Sequence, residues 1–155
     1  MKRWLWYIGI IASVAALGGK PSAGTDIANL QPVQVIYLSC PEGEVCIETD
    51  TGDWGMGETL KDALEDMKSA SSREVFLDTA DYLLLSSECI GLLPAMMEKL
   101  RPSCAISLTD GVPDMEQAGA YLQQHTPTIT LIKYRAGEDQ LQTLVTREGR
   151  MELVS

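Results

Sequence analysis

The chain has 155 residues, 22 of them acidic and 12 basic, for a formal net charge of −10. That balance argues against nucleic-acid partners, whose phosphates repel it, and a hydrophobic content of 45% with 22% charged residues excludes a disordered chain. One domain with its own core is expected, and the single Phe leaves that core to Leu, Ile, Val, Met and Ala.

Lys2 and Arg3 precede an apolar run from Trp4 to Leu17, followed by Gly18-Gly19-Lys20-Pro21. A basic start, an apolar core and small residues behind it form the signal-peptide pattern, with Ala16-x-Gly18 as a cleavage candidate. The run is short beside the roughly 20 residues of a spanning helix. Lys2 and Arg3 on the inner side and Trp4, Trp6 and Tyr7 at the interface also suit a retained anchor. Residues 1–18 are therefore expected to be a signal peptide or membrane anchor, 19–32 a linker, and 33–155 an α/β domain. The protein is expected to be extracytoplasmic, either membrane-anchored or secreted.

Strands are expected over 33–38 and 45–49, joined by a turn at Glu42-Gly43. Thr51 to Gly57 reads as a glycine-rich loop. A helix follows from Thr59 to Ser69, with Thr59 and Asp62 in capping positions and Leu60, Ala63, Leu64 and Met67 on one face. Residues 74–77 and 82–85 read as strands around the polar break Asp78-Thr79-Ala80-Asp81. A second helix is expected from Ser86 to Leu100, with Pro94 in its early turns and Ile90, Leu93, Met97 and Leu100 as its stripe. Residues 105–108 read as a strand, and Asp114 with Gln117 caps a third helix whose Met115, Ala118 and Leu122 face inward. Residues 128–134, 141–146 and 151–154 complete the expected strands. The order predicts an α/β fold: a mixed sheet with about three helices on it, the strands linked by crossovers running parallel.

The cysteines are Cys40, Cys46, Cys89 and Cys104. An even number in an exported chain permits disulfides, though spacing does not give their connectivity. Cys40 and Cys46 flank the turn Pro41 to Val45 and are a candidate bridge across a hairpin; the alternative is four small buried hydrophobes. No C-x-x-C occurs and His125 is the single histidine, so no zinc or other cofactor is expected.

Gly52-x-x-Gly55-x-Gly57 lies between a strand and a helix, where phosphate-binding loops occur. Its spacing is not the dinucleotide pattern, no Lys-Ser/Thr pair follows, and Asp53 and Glu58 would repel phosphate. Trp54 among these glycines is a candidate contact residue. Asp78 and Asp81 bracket a bend; paired carboxylates serve as acid and base or, with Asp110 or Asp114, hold a hard cation. His125, at a helix end, also suits the helix dipole.

Two stretches, Gly55-Met56-Gly57-Glu58-Thr59-Leu60-Lys61-Asp62-Ala63-Leu64 and Arg73 through Glu88, resemble the N-terminal domain of the Ger(x)C family, the C subunit of bacterial spore germinant receptors. There a G-x-G-x-T turn opens a helix, a strand pair surrounds a short polar break, and an acidic residue opens the next helix. The resemblance spans roughly 34–124 and implies a non-enzymatic accessory protein on the outer surface of a spore's inner membrane, partnered by integral-membrane subunits. This chain departs from the family in carrying no lipobox Cys behind the apolar run.

Three functions follow as expectations. The first is an exported, membrane-associated, non-enzymatic interaction protein whose partner is a membrane protein complex, with Trp54, Gly55, Gly57, Asp78 and Asp81 as candidate contacts and an exposed apolar patch as its mark. The second is a secreted module holding a small ligand at the C-terminal edge of the parallel strands. The third is a cation-dependent hydrolase, which requires Asp78, Asp81 or His125 to meet in a cleft.

Overall fold

The computed structural model describes residues 32–155. The expected signal or anchor segment, and the expected linker except for Pro32, lie outside the described residues. Seven strands form one mixed sheet: β1 (Val35–Ser39), β2 (Val45–Thr49), β3 (Trp54–Gly57), β4 (Tyr82–Ser86), β5 (Ala105–Thr109), β6 (Thr143–Arg147) and β7 (Arg150–Val154), in the spatial order β3-β2-β1-β4-β5-β6-β7. β1, β4, β5 and β6 are parallel neighbours, and β2–β3 and β7 add antiparallel edges. Among the described residues four α-helices accompany the sheet: α1 (Leu60–Ala70), α2 (Leu93–Met96), α3 (Met115–Gln124) and α4 (Leu131–Arg135). This is the single α/β domain that the sequence predicts.

Strand alternation divides the core into two layers. On one face Ile36, Leu38, Ile47, Leu83, Leu85 and Ile106 meet Leu60, Ala63, Leu64 and Met67 of α1 and Leu93 and Met96 of α2. On the other, Val35, Tyr37, Tyr82, Leu84, Ala105 and Leu144 meet Ala118 and Leu122 of α3. β1 and β4 are covered on both faces, and that is why they read as unbroken apolar runs rather than as alternations.

The helix starts follow their capping residues. The Thr59 hydroxyl accepts from the Asp62 N–H at 3.2 Å and donates to the Asp62 carboxylate at 2.6 Å. The Asp114 carboxylate accepts from the Gln117 N–H at 2.9 Å and from its side-chain amide at 3.2 Å.

Several expected elements differ. The glycine-rich loop is in part strand β3. Residues 74–77 join no ladder; a 3-10 turn, Leu77–Thr79, takes the chain into β4. The helix expected from Ser86 to Leu100 is a 3-10 segment, Ser87–Leu92, running into the short α2, with Pro94 near its start. Cys89, Leu93, Met96 and Leu100 are buried, whereas Ile90 is exposed. The strand expected over 128–134 makes one antiparallel bridge, Ala105↔Thr130, and then coils into α4. Its β-branched residues fit a strand, but β5 is free to accept them only at its first residues.

The candidate Cys40–Cys46 bridge is not formed. Cys40 is bonded to Cys89, with their Cα atoms 5.8 Å apart, and Cys46 is a free thiol. The pleat supplies the reason. Cys46 stands opposite Ser39 in the β1–β2 ladder. Cys40, one residue further on, packs with the α1-side core. Two cysteines on opposite faces of a sheet cannot bond, whereas Cys89, at the mouth of the neighbouring parallel strand, is on the right side. Among the described residues no helix is long and apolar enough to cross a membrane.

Candidate functional site

Gly55 and Gly57 belong to the packing of α1 on β3. A Cβ at Gly55 would stand 2.3 Å from the Ala63 carbonyl oxygen and 2.4 Å from the Met67 nitrogen; one at Gly57 would stand 2.6 Å from the Asp62 Cβ and 2.7 Å from the Ala63 nitrogen. Helix backbone lies directly on strand backbone, which only glycine allows. Their role as contact residues is thereby corrected: Gly55 is buried, and both face the helix.

The same alternation turns Trp54 and Met56 to the opposite face, where they are 56% and 44% exposed. They stand opposite Glu48 and Cys46, both half-buried, in the β2–β3 ladder. The α3-side core contains no residue of β2 or β3. The result is an open sheet face carrying an indole, a thioether and a thiol beside one carboxylate. Trp54 was legible as a contact candidate; Met56 and Cys46 were not, because they join it only once β3 exists.

Behind this face a polar clamp closes the β2–β3 turn. The Asp53 carboxylate accepts from Ser71 Oγ at 2.8 Å and Thr51 Oγ1 at 2.7 Å and pairs with Arg73 Nη2 at 3.0 Å. Arg73 Nη2 also donates to the Thr51 carbonyl at 2.8 Å. Burial alone would raise the Asp53 pKa, but the hydrogen bonds from Thr51, Ser71 and Arg73 and the Arg73 charge outweigh it and hold it below the ordinary carboxylate value. The clamp ties the turn to the end of α1.

Asp78, Asp81 and His125 are not assembled into one site. Asp78 is exposed in the 3-10 turn before β4. Asp81 is ion-paired with Arg101, whose Nε donates to the Ala80 carbonyl at 3.0 Å. His125 stacks on Tyr121 with ring centroids 4.4 Å apart, its Nδ1 lying 3.2 Å from the Tyr121 carbonyl. Among the described residues no hydrogen bond joins the imidazole to either aspartate, and no group of three or more metal-ligating side chains is gathered. Asp81 also immediately precedes β4, at the N-terminal end of a parallel strand, whereas crevices in such sheets open at the C-terminal ends.

At that C-terminal edge a crevice of about 240 Å³ is lined by Thr109, Asp110, Gly111, Val112, Pro113, Leu144 and Thr146. It arises because β5 stops at Thr109, where the chain leaves for α3, while β6 runs on. Only Leu108↔Thr143 and Thr109↔Leu144 pair β5 with β6; from Val145 to Arg147 the strand pairs with β7 alone. The projecting β6–β7 ribbon forms one wall and the loop Gly111 to Pro113 the other. Thr109 is 6% exposed, and its hydroxyl has no hydrogen-bond partner among the described residues. The sequence places a strand end at 105–108 and a turn after it, so the location was legible; Thr109 and Thr146 were not, because their meeting depends on where β6 enters the sheet.

Comparisons with protein-family models, with curated proteins and with solved structures found no match to this chain.

Proposed function

We propose that this chain is an extracytoplasmic, membrane-associated accessory protein that works by contact, offering the open β2–β3 face to a membrane protein complex. The observation that carries this reading is Trp54, more than half exposed beside Met56 on a strand fixed from behind by α1. Exposed indoles and thioethers on rigid strands are the side chains around which interface hot spots form. The Cys40–Cys89 disulfide supports a location outside the reducing cytosol. The resemblance to the first domain of the Ger(x)C family supplies the class of partner, integral-membrane subunits of a receptor.

The test is photo-crosslinking from position 54 in intact cells, with the adducts identified by mass spectrometry. Crosslinks to an integral-membrane subunit, and loss of co-purification in Trp54→Ala with its thermal midpoint unchanged, are expected. Full-length chain free in the cytosol, or co-purification indifferent to Trp54→Ala, refutes the reading. A second reading, a module for a small ligand, is favoured by one specific observation, the crevice at Thr109.

A further inference from the structure

We infer that the open β2–β3 face takes an arginine of the partner, its guanidinium lying on the Trp54 indole with its N–H edge toward the Glu48 carboxylate. The inference rests on the contact reading proposed above and adds the chemistry of the partner's anchoring group.

The ladder brings the two groups together. The Thr49 N–H donates to the Asp53 carbonyl at 2.9 Å, and the Met56 N–H turns outward to the Asp66 carboxylate at 3.0 Å. Glu48↔Trp54 is therefore a non-hydrogen-bonded antiparallel pair, the kind that brings opposed side chains closest, with Cα atoms about 4.5 Å apart. Both side chains stand on the face away from α1. On the other side of Glu48 stands Tyr37 of β1, buried with the α3-side core, so the open side of the carboxylate is the one toward the indole.

Glu48 is the unspent acid of this region. Among the described residues its carboxylate makes no ion pair and accepts no hydrogen bond. Asp50, two positions on, spends both oxygens on the Gln34 N–H, at 3.0 and 3.3 Å, and Asp53 is closed by Thr51, Ser71 and Arg73. Glutamate is disfavoured in strands, and this one is half-buried in a strand with neighbours on both sides. Burial raises the Cys46 pKa against the Ser39 hydroxyl, and the Glu48 charge raises it further, so the carboxylate lies along the same face as the thiol. No cation of the described residues pairs with it, and its counter-ion comes from outside them.

Charge and shape select arginine. Residues 45–70, which run from the start of β2 to the end of α1, hold seven acidic and two basic residues, so this edge draws in a basic segment and repels an acidic one. An indole face attracts cations, and a guanidinium, unlike an ammonium, is planar: it stacks on the ring and still points N–H donors sideways at a carboxylate. Met56 and Cys46, the next row of the ladder, offer apolar contact to the arginine's methylenes.

The experiment has two arms. In intact cells, photo-crosslinking from position 54 is repeated in Glu48→Gln, an isosteric change that should leave the thermal midpoint unchanged. Adduct yield should fall about tenfold, and replacing an arginine of the crosslinked partner segment by glutamine should lower it as much. Adducts formed equally well by Glu48→Gln overturn the inference and leave the contact reading standing; no adducts in wild type overturn both. In solution, the full-length chain is titrated by NMR with acetyl-Ala-Arg-Ala-amide and with its citrulline counterpart, which keeps the planar group and loses the charge. Saturable shifts of the Trp54 indole N–H and the Glu48 amide are expected with the arginine peptide. Binding should be weaker by about threefold or more with the citrulline peptide, and likewise for the arginine peptide in Glu48→Gln. Equal binding of the two peptides, or no shift with either, overturns the inference.

Discussion

Gly55→Ala separates a packing role from a contact role at the glycines of β3. The added methyl would lie 2.3, 2.4 and 2.7 Å from the Ala63 oxygen, the Met67 nitrogen and the Met67 Cβ, where ordinary contact begins at 3.4 Å. None of these atoms is the far end of a flexible side chain, so relief requires α1 to rise by about 1 Å, opening gaps along Ala63 and Met67, both now fully buried. Overpacking of this kind costs about 1–3 kcal/mol, and contacts with backbone put Gly55→Ala at the top of that range. With a urea slope of roughly 2 kcal/mol/M, the unfolding midpoint should fall by about 1.5 M. Gly111→Ala is the control, since a Cβ there meets nothing within 4 Å; it should move stability by less than about 0.5 kcal/mol. Urea unfolding followed by far-ultraviolet circular dichroism reads both. A Gly55→Ala midpoint equal to wild type would show that helix and strand are not seated backbone to backbone.

Two further predictions test the electrostatics and the thiols. Asp53→Asn should lower stability by about 2–3 kcal/mol at pH 7, because Arg73 loses a charged partner in a mostly buried clamp. Since folding lowers the Asp53 pKa, its contribution is present above about pH 4 and fades as pH falls through the folded value, so wild type should lose its advantage over Asp53→Asn in acid; a constant difference down to pH 2 would contradict the clamp. Unfolded without reductant, the chain should take two alkyl labels, at Cys46 and Cys104, and four after reduction. In the native state at pH 8 only Cys46 should react, and slowly. Burial raises its pKa against the Ser39 hydroxyl and with help from Glu48, while burial pushes Cys104 up to about 12 against the Arg101 charge. Breaking the disulfide, whose cysteines are 49 positions apart, should cost up to about 4 kcal/mol of chain entropy; four labels without reductant would contradict the bridge.

What the sequence revealed, and what it concealed, follows from the range of the interactions. Caps are local: Thr59 with Asp62 and Asp114 with Gln117 announce their helices, and both helices begin there. The runs Val35 to Leu38 and Tyr82 to Leu85 announce buried parallel strands, since no polar face is needed where both sides are covered. β3 was hidden because glycine inside a strand looks like a break; the reason for Gly55 and Gly57 is a helix backbone that begins three residues later and folds over them. The Cys40–Cys89 pairing was hidden because it depends on β1 and β4 becoming neighbours. Thr128 to Tyr134 misled because Ile129, Thr130 and Ile132 suit a strand, but the ladder beside β5 is taken up by β6 from Leu108 onward. The crevice at Thr109 belongs to the same class, being made by two segments some 35 residues apart in sequence.

The seating of α1 bears on how Trp54 meets a partner. The strand that carries the indole is held by β2 through its ladder and by a helix pressed against its glycines, so its backbone has little conformational freedom to lose on docking. Only the two torsions of the ring are frozen in a complex, at about 0.5–1.5 kcal/mol. If the proposed complex forms through this edge, its recognition would be preorganised, its lifetime set by fit around one aromatic anchor, and small changes at the helix beneath would be read as changes in dissociation rate.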